Sequence, residues 1–204
     1  MQRDDTELVA LARSGDVDAY GVLYDRYQTS VYNLVLRMVG NVDDAEDLKQ
    51  DVFLKTYRSL GAFKGTARFS TWLYRIATNV CLDEIRKRKP TASFDQMAED
   101  SSWEPADSRT ENNPEEQLSR KISEGTVQEA LLRIPPHYRI LIVLRHLDEM
   151  SYDEIATIVG CSVNALNVRL HRARESFRKA LVPYLTEESH GDLPSGPKQN
   201  IAVY

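Results

Sequence analysis

The stretch from Ser151 to Leu181, SYDEIATIVGCSVNALNVRLHRARESFRKAL, leaves a chain little freedom in how it folds. Ser151 can cap a short helix from about Tyr152 to Val159, with Glu154 three residues on to complete a capping box. Gly160 then supplies the backbone freedom of a sharp turn. A second helix follows from about Val163. Its Leu166, Leu170, Ala173, Phe177 and Leu181 recur at three- and four-residue spacing, one apolar stripe that must pack on the preceding helices. The outer face carries Asn164, Val168, His171, Arg172 and Glu175, flanked by Asn167, Arg169, Arg174 and Arg178. A capped helix, a glycine turn and a basic second helix form a helix-turn-helix, and such a helix suits a DNA major groove, where amides and guanidinium groups reach base edges. Spacing alone leaves a second reading open, a packing module whose arginines are solvated.

The rest of the chain sets the context. Its 204 residues, 42% of them hydrophobic, can form two small domains that each bury a core without staples. Cys81 and Cys161 stand far apart in unrelated contexts and read as reduced thiols of a cytoplasmic protein, with no metal site expected. No apolar run approaches the roughly 20 residues of a membrane span, and the start MQRDDTE lacks the basic region of a signal peptide, so no membrane insertion is expected. The net charge of −5 speaks against nucleic acid until its distribution is read. Between Thr91 and Glu124, nine acids face three bases, and the remainder of the chain is slightly positive. Cations cluster at Arg86, Lys87, Arg88 and Lys89, and again along Arg169, Arg172, Arg174, Arg178 and Lys179.

That acidic segment, PTASFDQMAEDSSWEPADSRTENNPEE, has three prolines and no helical period. The expected fold is all-α: two helical domains, residues 1–90 and 118–183, joined by an acidic, flexible linker over 91–117 and followed by a disordered tail over 184–204. In the first domain, Leu8, Val9, Leu11 and Ala12, then Ala19, Tyr20, Leu23, Tyr24 and Tyr27, then Val31, Leu34, Val35 and Met38 mark helix faces, with Gly15, Gly40 and Gly61 at the stops. The second opens with Val127, Ala130, Leu131 and Ile134, broken at Pro135 and restarted at Pro136, a good first helical residue.

Two stretches of the first domain carry candidate chemistry. In DDAEDLKQDVFLKTYRSL, projection turns Ala45, Leu48, Val52, Phe53, Thr56 and Leu60 inward and Asp47, Gln50, Asp51 and Leu54 outward. An exposed leucine among carboxylates suits a protein interface, although on spacing alone an ordinary acidic solvated face fits slightly better. Lys49 falls toward the apolar side, where only its stem can be buried. In FKGTARFSTWLYRIATNVCLDEIRKRKP, Trp72, Leu73, Ile76, Ala77 and Val80 define a buried side, while Thr71, Arg75, Thr78, Leu82, Arg86 and Lys89 face out with Asn79 at the margin. The preceding loop, Phe63 to Phe69, combines Gly65, two aromatics, Lys64 and Arg68, the chemistry expected where a single strand is held and a base splayed into a pocket. Core packing is the expected role of Trp72, and solvation alone would also account for Arg75, Asn79 and the basic run.

The order DAEDLKQDVF, FKGTARFSTWLYRIATN, DEIRKRK, an acidic linker, ALLRIPPHYR and SYDEIA...RLHRARE resembles a bacterial sigma factor of the extracytoplasmic function (ECF) class, over nearly the whole chain except the C-terminal tail. The resemblance implies sigma domains 2 and 4, no enzymatic activity and no cofactor. It implies that Asp47, Gln50, Asp51 and Leu54 dock on the clamp helices of the largest subunit of core RNA polymerase. Lys64, Arg68, Phe69, Ser70, Arg75 and Asn79, with Arg86 and Arg88, would capture the non-template strand of the −10 element. Asn164, Asn167, Val168, Arg169, His171 and Arg172 would read the −35 element. The linker would thread the polymerase channel toward the RNA exit. An anti-sigma factor is the expected inhibitor, and the free chain is expected to be a monomer.

The recognition helix departs from the class. It commonly begins with glycine, threonine and valine, then lysine or arginine and a serine, where this chain has Asn164, Ala165, Leu166, Asn167 and Val168. A cation is lost at Asn167, whereas its amide can pair with adenine and Val168 can touch a thymine methyl. Two other functions have little support. A stand-alone helix-turn-helix regulator would carry a ligand or phosphoacceptor domain, and an enzyme would need metal-ligand spacing among His137, His146, His171 and His190, a phosphate loop or a nucleophile elbow.

Overall fold

The computed structural model describes residues 3–88 and 123–187, and all regular structure among them is helical. The linker expected at 91–117 and all but the first residues of the expected tail lie outside the described residues.

The first half begins with α1, Asp5–Arg13, capped by Asp4, whose carboxylate accepts from the Glu7 N–H at 2.8 Å. Asp16 caps α2, Val17–Val39, which stops at Gly40 in the left-handed region (φ 76°). Asn41 caps α3, Val42–Ser59, and a short 3₁₀ turn over Leu60–Ala62 leads toward α4, Phe69–Arg88. Apolar spacing of three and four becomes the core directly: Leu8, Leu23, Val31, Leu34, Met38, Val52 and Leu73 are all buried. Each contributes roughly 1.5–3 kcal/mol relative to exposure.

The second half comprises α5, Glu124–Arg133, and α6, Pro136–Ile142, which Pro136 opens. Helix α6 widens into one π turn, Val143–Leu147, closed by the Asp148 N–H donating to the Val143 carbonyl at 3.0 Å. Then come α7, Tyr152–Val159, and α8, Val163–Glu187. Ser151 and Glu154 form the reciprocal capping box, and Gly160 takes φ 70° at the turn. Leu166, Leu170, Ala173 and Leu181 are buried along α8 as the stripe requires.

One boundary is corrected. The expected end at Pro183 is passed, because α8 runs through that proline to Glu187. The reason is a long-range anchor: Tyr184 donates its hydroxyl to Glu129 at 2.9 Å, and the Arg133 guanidinium lies 4.8 Å from its ring centre.

The two halves pack on each other through α2 and α4 on one side and α5, α6 and α7 on the other. Arg139, buried on α6, is the principal tie. It donates to the carbonyls of Leu131 (2.8 Å), Leu132 (3.0 Å) and Ile134 (3.3 Å) in its own half and to Met38 at the end of α2. Among the described residues its charge faces no carboxylate. The carbonyl ends of two helices balance it instead, and desolvation lowers its pKa to about 10, leaving it protonated at neutral pH. Gln128 donates to the carbonyls of Leu36 (3.4 Å) and Arg37 (3.3 Å). Gly40 matters twice: its left-handed backbone ends α2, and a Cβ there would collide with Leu132 from the other half.

This packing corrects the assignment of α4. Thr71 and Thr78, expected to face out, are only 5% and 2% exposed. With Tyr74 and Cys81 they form a stripe at three- and four-residue spacing that does face out of the first half, but the second half covers it.

Candidate functional site

On α3, Asp47, Gln50, Asp51 and Leu54 lie on one exposed face, and Leu54 keeps 47% of its surface in solvent. Asp51 and Leu54 border a groove of about 510 Å³ between α3 and α4 whose far wall includes Asp83, Glu84 and Lys87. Lys49 beside them is buried, with its ammonium 2.5 Å from Glu46 and 5.6 Å from the centre of the Tyr32 ring. The cation is thus held by a carboxylate one turn away and an aromatic face, a pairing that the apolar pattern gave no reason to seek.

A second surface gathers at the start of α4. Lys64, Arg68, Arg75 and Asn79 are exposed, and Ser70 is half-buried. Phe69 is corrected: it is the first residue of α4 rather than part of the loop, and it is 4% exposed. Its ring packs against Tyr27 (5.6 Å between centres), Phe63 (6.0 Å) and Trp72 (6.0 Å). Phe63 and Trp72, half-buried and 5.0 Å apart, are the aromatics left to wall a small pocket of about 190 Å³. Lys64, Thr71 and Arg75 complete it, together with Thr157 from α7. Arg68 points toward α7 as well, 3.5 Å from Glu154. Hydrogen bonds from Ser151 hold that carboxyl below its ordinary range, with a smaller contribution from Arg68.

Farther along α4, Arg86 pairs with Asp83 at 3.0 Å. Arg88 grips Asp44 with two nitrogens (2.5 and 2.9 Å) and Glu84 with a third (2.9 Å), which lowers both carboxyls. Arg88 therefore ties α4 to the start of α3 before any ligand is considered.

The third surface is the outer face of α8. Asn164, Asn167 and His171 are exposed, while Val168, Arg169 and Arg172 are half-buried beside them. Ser162 fastens the start of the helix, its hydroxyl accepting from the Ala165 N–H at 3.2 Å. Among the described residues, no helix is long and apolar enough to cross a membrane, and no three His, Cys, Asp or Glu side chains are grouped to hold a metal ion. Sequence spacing missed Thr157 and Glu154 as neighbours of the α4 surface, because contacts between halves leave no local periodicity.

Residues 23–91 match the Sigma-70 region 2 family and residues 124–177 the Sigma-70, region 4 family. The chain is 38% identical over 172 residues to the ECF RNA polymerase sigma factor SigW of Bacillus subtilis, covering 83% of this chain and 92% of the relative. It is 35% identical over 187 residues to the ECF RNA polymerase sigma-E factor of Escherichia coli K12, covering 90% and 97%. The chain is an ECF sigma factor. CnrH, solved in complex with the cytosolic domain of CnrY, superposes with a TM-score of 0.63 at 26% identity, covering 88% of this sigma factor and 97% of CnrH. The sigma factor RpoE, solved with the anti-sigma factor NepR from Bartonella quintana, shares the fold with a TM-score of 0.59 at 20% identity over 80% and 96% of the two chains. The sigma factor therefore belongs to the promoter-recognising partners of RNA polymerase, with the region 2 match spanning the α3 and α4 surfaces and the region 4 match spanning the start of α8.

Proposed function

We propose that the three surfaces divide the work of transcription initiation. The α3 face of Asp47, Gln50, Asp51 and Leu54 docks on the clamp helices of core RNA polymerase, where an exposed leucine gains apolar burial and the carboxylates fix orientation. The α8 face of Asn164, Asn167, Val168, Arg169, His171 and Arg172 reads the −35 element in the major groove. Lys64, Arg68, Ser70, Arg75 and Asn79 hold the non-template strand of the −10 element, with the basic end of α4 supplying phosphate contacts.

The observation that carries the strand assignment is the pocket between Phe63 and Trp72. At about 190 Å³ it is smaller than sites that enclose whole small molecules, and it offers aromatic walls with cations at its rim. A single extruded base fits that chemistry. Melting then follows from binding energy: contacts available only to a flipped base offset the few kcal/mol of unstacking and favour the open strand. The groove of about 650 Å³ along α8, bounded by Val127, Phe177, Leu181 and Leu185, suits an amphipathic helix of a protein partner. CnrY and NepR, the partners of the two similar structures, support an anti-sigma factor as one such partner.

Promoter opening by an Asn79→Ala variant tests the reading. With core polymerase the variant should bind duplex promoter DNA nearly normally and open it slowly, and a template premelted across the −10 region should recover most of the loss. Normal opening of duplex promoters would refute the base-capture role.

A further inference from the structure

We propose that the chain beyond α8 turns back and seats its apolar cluster, Ile201, Ala202, Val203 and Tyr204, in the groove along α8, so that the sigma factor guards this groove with a segment of its own. The proposal names an occupant for the free protein and stands whether or not a partner's helix also docks there.

The groove is suited to apolar side chains. Its volume is about 650 Å³, and apolar atoms make up most of a wall formed by Val127 of α5, Ile142 of α6, Leu147 of the π turn and Phe177, Leu181 and Leu185 of α8. Leu147 and, at the rim, Val182 remain exposed. Covering such a surface is favourable, and a site of this volume matches a compact ligand or a few residues of chain. A stable dimer buries roughly 800 Å² per partner, more surface than this groove offers.

The tether brings the cluster within reach. Helix α8 ends at Glu187, and Leu185 is already part of the groove wall. From there the groove runs back along α8 to His171, about 21 Å at the helical rise. Thirteen residues, 188–200, separate Glu187 from Ile201. A chain of that length has a root-mean-square span of about 20 Å, and a span matched to the distance raises the effective concentration of the cluster into the millimolar range. Gly191, Pro194, Gly196 and Pro197 oppose continuation of the helix and allow the direction to reverse. Ile201 and Val203 share one side of an extended segment and enter the groove together, leaving Tyr204 at the rim with its hydroxyl in water. Charge agrees with this direction. Glu188 and Asp192 lead the segment, while Arg174 and Arg178 outnumber Glu175 at the rim. A partner that needs the groove must displace the cluster, and its affinity falls by the fraction of molecules in which the groove is open.

Methyl NMR of the full chain tests this. A nitroxide on Gln199→Cys, with Cys81→Ala and Cys161→Ser removing the native thiols, should broaden the methyls of Leu181 and Leu185 and spare those of Leu8 and Val9 in the first half. A second measurement keeps the native cysteines. Truncation after Glu187 and the double variant Ile201→Asp with Val203→Asp should move the same groove methyls in the same direction, and a peptide of residues 188–204 should reverse the shift in the truncated chain at millimolar concentration. If the cluster fills the groove in about nine-tenths of the molecules, truncation should tighten binding of the apolar dye anilinonaphthalene sulfonate at the groove about ten-fold. Groove methyls that stay unmoved in both measurements would overturn the proposal. So would a double variant that matches wild type while truncation does not, or a dye affinity at the groove that is the same with and without the segment. Broadening between a spin-labelled copy and a separate isotope-labelled copy, fading on dilution, would make a second copy of the chain the occupant and overturn the proposal as well.

Discussion

Asp148→Asn isolates one carboxyl at the junction of the two halves. Asp148 follows the π turn, Glu149 beside it adopts a left-handed φ of 52°, and the carboxyl is directed among Tyr74 and Arg37 of the first half. Desolvation pushes its pKa from 3.8 up to about 6, and Arg37 offsets only part of that. That rise corresponds to roughly 3 kcal/mol by which ionisation disfavours the folded state. Since the folded value lies above the unfolded one, the stability is fully present below about pH 4 and is lost as the pH rises through about 6. Asparagine carries no charge at any pH but brings an amide with its own unpaired hydrogens, a cost of about 1 kcal/mol. The net expectation is a gain of about 2 kcal/mol at pH 8 that falls through zero between pH 4 and 5 and becomes a loss of about 1 kcal/mol at lower pH. Urea unfolding of both proteins at a series of pH values measures it, and parallel pH profiles for wild type and variant would refute the reasoning.

Asp47→Ala and Gln50→Ala should each weaken association with core polymerase severalfold while circular dichroism stays unchanged, since both side chains project from the core face of α3; unaltered core-binding titrations would count against docking there. Asn167→Lys should shift the preferred −35 sequence at one position and steepen the salt dependence of binding by up to about one unit of slope, read by selection of −35 variants at two ionic strengths. Truncation after Glu187 should leave promoter-dependent transcription intact, whereas Tyr184→Ala should lower stability by about 1 kcal/mol by freeing the end of α8 from Glu129 and Arg133, measured by thermal melting.

Most of the fold was legible because its signals are local. The Ser151 capping box, the Gly160 turn and the α8 stripe need only residues within a few turns of one another. Helix α4 was harder. Its Thr71 and Thr78 do point away from their own domain, so the helical projection was right and the inference of solvent exposure was not. Phe69 sat at the boundary between loop and helix, and one of the rings that claim it, Tyr27, lies far away in sequence. The same holds for Pro183, where a contact with α5 carries the helix past a residue that usually ends one. The charge clusters were found correctly as clusters, but pairing inside them, as in Arg88 with Asp44 and Glu84, depends on tertiary placement that composition does not encode.

Arg139 joins three carbonyls at the corner of α5 and α6 to one at the end of α2, so a single guanidinium fastens a turn within one half and a seam between two. That sharing makes unfolding cooperative across the seam. Loosening the α5–α6 corner releases the grip on α2, and releasing α2 leaves a buried cation with fewer helix ends to balance it. The chain should accordingly melt as one unit. Heat capacity across the melt would then show a single peak whose calorimetric and van't Hoff enthalpies agree, the sign that both halves come apart together.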